Sequence, residues 1–130
     1  MGKMIGRRYV LPRAIATALA KVFEETVDGV IVIERSRYAK LHRGMFATTR
    51  PNRILLAMSG AEFISSPELL LHEYYHVLCQ WRSGYLTRWR YVREILRCGY
   101  HQNRYEQEAR EFAAGAVEQY CGYLQEHHDQ

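Results

Sequence analysis

The residues of this chain whose types and spacing could do chemistry lie together in LLLHEYYHVLCQW, positions 69–81. His72, Glu73 and His76 form the pattern H-E-x-x-H. Residues four apart on a helix share a face, so both imidazoles can point at one metal ion. Glu73 leans over the same edge. It stands too far round to bind the ion, yet near enough to take a proton from a water that the ion activates and to return it to a leaving amine. Zinc suits this chemistry, because it polarises a carbonyl and acidifies water without redox side reactions.

A catalytic zinc site needs a third protein ligand and an open position. The metzincin extension H-E-x-x-H-x-x-G-x-x-H requires glycine at 79 and histidine at 82. Cys79 and Arg82 stand there, which excludes that class. Cys79, one turn past His76, reads as a buried structural thiol. The remaining candidates are Glu94, Glu106, Glu108, Glu111, Glu118 and His101. Glu106 shares a helical face with Ala109 and Ala113, whose small side chains let a ligand helix approach closely. Glu108 points roughly 200° further round, at about 100° per residue. Glu106 is therefore preferred, with Glu108 second.

Several elements must position these side chains. Ile15, Leu19, Val22 and Phe23 recur at helical spacing and predict a first helix over 12–25, with Pro12 in its first turn. Val30 to Ile33 is a β-branched run and predicts a buried strand. The polar stretch 35–44 predicts a loop or short helix. Residues 47–49 and 53–57 flank Arg50-Pro51-Asn52 and predict a hairpin, closed by Ser59-Gly60. Ser65-Ser66-Pro67-Glu68 predicts the start of the histidine helix, which should run to Trp81 and stop at Ser83-Gly84. Trp89, Val92 and Leu96 suggest an amphipathic helix over 87–97, ended by Gly99. A last helix is expected over 103–124, with Phe112, Ala113, Ala116, Tyr120 and Tyr123 near one stripe. The order implies an α+β class and a single domain over 1–130: a small three-stranded sheet with an N-terminal helix, then a zinc-binding helix, a connecting helix and a C-terminal helix.

Composition restricts the alternatives. The chain has 130 residues and a formal charge of +4, and 15 of its 18 basic residues are arginine. The arginines are scattered, with no basic tail, and read mainly as solvated helix faces. Three widely spaced cysteines, Cys79, Cys98 and Cys121, form no disulfide framework and predict a reducing compartment. The basic N-terminus is interrupted by Pro12 and Arg13, so neither a secretory signal nor a membrane span is expected. The protein is expected in the cytoplasm, or exported without a signal peptide. No membrane partner is expected.

With H-E-x-x-H at 72–76 and an E-x-x-A at Glu106 to Ala109, the chain resembles the gluzincins. It is also similar to minimal gluzincins and to the peptidase-like domains associated with bacterial extracellular contractile injection systems. The resemblance spans about residues 30–114. It implies zinc-dependent hydrolysis of peptide or protein substrates, with zinc held by His72, His76 and Glu106 and water activated by Glu73. It further implies an edge strand that aligns substrate by β-augmentation, here at Ile54 to Ala57. A tyrosine or histidine for the oxyanion would come from Tyr100, His101 or Tyr105. The alternatives are a silent or latent zinc-binding interaction module, with residues 119–130 laid across the cleft, and a basic nucleic-acid-binding domain built on Arg88, Arg90, Arg93 and Arg97.

Overall fold

The computed structural model describes residues 6–36, 47–99 and 103–129. The predicted loop over 35–44 lies almost wholly outside them, as do Tyr100 and His101. The class is α+β, as the order of patterns predicts. Strand β1 (Arg7–Tyr9) leads into helix α1 (Arg13–Phe23), followed by strands β2 (Ile31–Glu34), β3 (Ala47–Arg50) and β4 (Arg53–Leu56). Helix α2 (Gly60–Ile64) and helix α3 (Pro67–Tyr75) come next, and α3 continues as a π-helical stretch over His76–Trp81. Helices α4 (Arg88–Cys98) and α5 (Arg104–Asp129) complete the chain.

The sheet has four strands in the order β1-β2-β4-β3, one more than expected. β1 has three residues, two of them arginine, so it carries no alternating apolar signal of its own. It forms because β2 offers an open edge, on which Arg8 pairs antiparallel with Ile33. The hairpin is as predicted: β3 and β4 pair antiparallel, Thr49 opposite Ile54, and Asn52 supplies a left-handed turn residue at φ 60°. β4 also pairs parallel with β2. It is therefore interior, which corrects the expectation that it offers a free edge to substrate. Among the described residues the edge on that side is β3.

α2 was not expected. Ser59 caps it and Glu62 returns the bond in a reciprocal capping box, so Ser59-Gly60 opens a helix as well as closing the hairpin. The ring of Tyr9 lies directly over Gly60, in the space a Cβ would fill. Pro67 takes the first turn of α3 as predicted, but Ser66 makes no side-chain cap, and the Ser65 hydroxyl donates to the Glu62 carbonyl at the end of α2. Gly84 and Gly99 follow their helices at φ 84° and 79°, where L side chains are strained.

The core lies between one face of the sheet and α1, α3 and α5. Val32, Ile54 and Leu56 meet Leu19, Phe63, Leu70, Leu71, Tyr74 and Val77 there. α3 packs along α5 more extensively than any other pair of elements. Ala109 and Ala113 are buried on α5, which suits the close approach expected of them. A stack of rings, Phe23 on Phe112 and Phe112 on Tyr75, ties α1, α5 and α3 together with centroids 5.1 and 4.7 Å apart.

α4 forms where the amphipathic pattern places it, with its apolar stripe turned outward. Trp89, Val92 and Leu96, the stripe that locates it in the sequence, face solvent. Its inward side carries Tyr91, Glu94 and Ile95. Residues 119–129 continue α5, with Glu126 3.8 Å from Lys21 of α1. Twenty residues at about 1.5 Å each separate Glu126 from Glu106 by roughly 30 Å. The tail therefore does not lie across the region around Glu106, as the latent alternative requires. No helix among the described residues is long and apolar enough to cross a membrane.

Candidate metal centre

α3 delivers His72 and, where it widens into the π-helical stretch, His76; the first turn of α5 delivers Glu106. The three side chains converge. His72 Nε2 lies 3.0 Å and His76 Nε2 3.2 Å from Glu106 Oε1, and the two Nε2 atoms are 3.1 Å apart. These three atoms form the His72–His76–Glu106 group that could hold a metal ion. A tetrahedral ion with bonds near 2.0 Å needs ligand atoms about 3.3 Å apart, so the triangle has the right edge length.

The donor chemistry fits as well. Gln80 donates from Nε2 to the Tyr105 carbonyl at 3.1 Å and to Glu108 Oε1 at 3.3 Å. That leaves its oxygen facing His76, whose Nδ1–H donates to it at 2.7 Å. The Nε2 lone pair of neutral His76 then points into the triangle, as metal binding requires. Tyr91 donates its hydroxyl to Glu106 Oε2 at 3.0 Å, leaving Oε1 to the histidines.

Electrostatics favour positive charge at this point. Burial pulls His76 down, but the hydrogen bond and charge of Glu106 outweigh it and raise the imidazole to about 8. Burial opposes ionisation of Glu106 too, yet hydrogen bonds from His72 and His76 hold it well below the usual carboxylate range. The site thus gathers a proton where a cation would sit.

Glu73 is buried beside the triangle and lines the adjoining cleft of about 420 Å³. Burial raises its pKa, partly offset by the two imidazoles. A carboxylate whose pKa is raised by burial and that faces a cleft is suited to proton transfer. β3 forms one wall of the cleft and α4 contributes Tyr91, Val92 and Ile95 to the other. Trp81 Nε1 donates to Thr49 Oγ1 at 3.0 Å, which fastens the π-helical stretch to this edge strand.

The other carboxylates lie elsewhere. Glu108 accepts from Gln80 and from the Tyr85 hydroxyl, 2.9 Å away, so it braces Gln80 behind the His72–His76–Glu106 group. Glu94 is buried against Arg104 and Arg97. Glu111 and Glu118 are exposed on α5. Tyr105, considered for an oxyanion, is buried with its ring against Tyr85 and Tyr91. Tyr91 and Gln80 are not among the residues that the sequence motifs single out. Gln80 had a local signal, since it stands one helical turn past His76; Tyr91 had only its place among the residues of an amphipathic helix.

Comparisons with protein-family models, curated proteins and solved structures returned no match.

Proposed function

We propose that this protein is a zinc-dependent metallopeptidase of the gluzincin kind, with His72, His76 and Glu106 as ligands and Glu73 as the proton-transferring residue. The observation that carries the reading is the convergence of two imidazole nitrogens and one carboxylate oxygen within 4.8 Å of one another, beside a cleft that Glu73 lines. Two histidines and a glutamate are a recurrent catalytic ligand set that leaves a position open. Zinc bound there would polarise a peptide carbonyl and make water a nucleophile at neutral pH.

The chain's own residues divide the remaining tasks. Glu73 takes the proton of the attacking water and returns it to the leaving amine. β3 offers main-chain groups along the cleft to an extended substrate, taking the role expected of β4. Tyr91 and Gln80 hold Glu106 and His76 in orientation.

The test is elemental analysis of purified protein together with cleavage of a broad peptide library. The expected result is one zinc per chain, lost in Glu106→Ala, and peptide cleavage that disappears in Glu73→Ala while zinc stays. Zinc without cleavage in the wild type would instead assign a zinc-bearing interaction module. No zinc after supplying it would overturn both.

A further inference from the structure

Helix α4 wears its apolar residues outside. At about 100° per residue, Trp89, Val92 and Leu96 fall on one stripe of its surface. Trp89 is 82% exposed, Leu96 81% and Val92 41%. Of all the residues on α4, Glu94 alone is buried. Isolated exposed apolar side chains are ordinary, but three adjoining ones on a single helix make a patch that asks for a partner.

The charges around the stripe indicate which partner. Arg88 lies on one flank and Arg93 on the other, and neither has an ion-pair partner among the described residues. Arg90 donates to the Gly84 and Tyr85 carbonyls. Glu94, the one acid on the helix, is neutralised by Arg97 and Arg104 at 3.9 and 3.3 Å. The outward surface is thus apolar at its centre and cationic at its margins.

We propose that α4 docks the protein on an anionic lipid bilayer surface. Trp89, Val92 and Leu96 would enter the boundary between headgroups and acyl chains, and Arg88 and Arg93 would meet the lipid phosphates. A tryptophan suits that boundary because its ring is apolar and its N–H polar. An apolar stripe beside arginines is the pattern of helices that lie in the membrane plane. A nucleic acid would pair the arginines but leave Val92 and Leu96 in water, and a second copy of this chain would set arginine against arginine. A surface-lying helix of 11 residues is neither a membrane span nor a secretory signal, so the sequence patterns that argue against a membrane partner do not bear on it. Arg88 and Val92 also border the cleft, whereas Trp89, Arg93 and Leu96 do not, so substitution at those three probes the membrane contact apart from the metal-site reading.

Co-sedimentation of the full chain with vesicles tests it. Vesicles of phosphatidylcholine with phosphatidylglycerol should bind the protein at least about tenfold more tightly than phosphatidylcholine alone. Arg93→Glu changes two charges and should weaken binding by roughly 30-fold, at about 1 kcal/mol per charge near the surface. The double variant Trp89→Ser, Leu96→Ser should also lose at least about tenfold. These side chains are exposed, so the thermal melts should match wild type. The proposal is overturned by absence of binding to anionic vesicles, by equal binding to neutral ones, or by variants that bind like wild type. It is equally overturned if, without vesicle binding, the protein self-associates in a Trp89-dependent way or retains a DNA duplex.

Discussion

The side-chain oxygen of Gln80 lies 2.7 Å from Nδ1 of His76 and fixes which imidazole nitrogen faces Glu106. Gln80 itself cannot turn round freely, because its amide donates to the Tyr105 carbonyl and to Glu108. The proton position on His76 is thus set two bonds away from the histidine, on α5.

Gln80→Leu removes the acceptor while keeping the volume. Loss of such a supporting partner typically costs 10–100-fold in metal affinity. Competition against a chromophoric zinc chelator should show a fall of about that size, with the circular dichroism spectrum unchanged. Unchanged affinity would mean that the tautomer is set elsewhere.

Glu106 and Glu108 should separate cleanly. Glu106→Ala removes a converging oxygen and should abolish stoichiometric zinc binding. Glu108→Ala removes the acceptor for Gln80 and for the Tyr85 hydroxyl but no converging oxygen, and should weaken zinc by about tenfold or less. Elemental analysis after dialysis distinguishes the two, and the reverse order would move the third ligand to Glu108.

The metal-free protein should lose stability as pH rises. His76 is raised from 6.5 to about 8 in the fold, so its contribution is full below about 6.5 and is lost as pH climbs through 8. The shift corresponds to about 2 kcal/mol. Glu73, also raised, acts with the same sign. Glu106 is lowered, so its contribution is present above its ordinary value of 4.5 and is lost as pH falls below it. Scanning calorimetry of chelator-treated protein should place the highest Tm between about pH 4.5 and 6.5, with a fall of several degrees by pH 8.5. Zinc should flatten that fall, since the ion takes the place of the proton.

Gly60→Ala tests the packing of β1. The new methyl would meet the Tyr9 ring, which must then leave its seat. Overpacking of this kind costs about 1–3 kcal/mol. Denaturant titration should show that loss while zinc stoichiometry stays at the wild-type value; an unchanged midpoint would mean that Tyr9 yields without cost.

Tyr91→Phe removes the hydroxyl that donates to Glu106 Oε2. Zinc affinity should fall by about tenfold, within the range for a lost supporting bond, and the fold should be unaffected because Tyr91 is only partly buried. A chelator competition that shows no change would assign Tyr91 to the cleft wall alone.

The sequence by itself determined what is local. The four-residue spacing of His72 and His76 places both on one face of whatever helix forms. Pro51-Asn52 turns the hairpin, Gly84 and Gly99 follow helix ends, and Ala109 and Ala113 mark a face built for close approach. Only the tertiary structure decided which faces meet. Glu106 reaches His76 across 30 positions of chain; Ala109 and Ala113 favour it over Glu108, but only the crossing of α5 on α3 brings its carboxylate to the histidines. Strand order is likewise a product of long-range pairing: β1 exists because β2 has an open edge, and β3 rather than β4 borders the cleft because β2 occupies the other side of β4. The stripe on α4 gives the sharpest case. Periodicity located the helix correctly, but a period says that one face differs from the other, while burial depends on what the rest of the chain can bring against it.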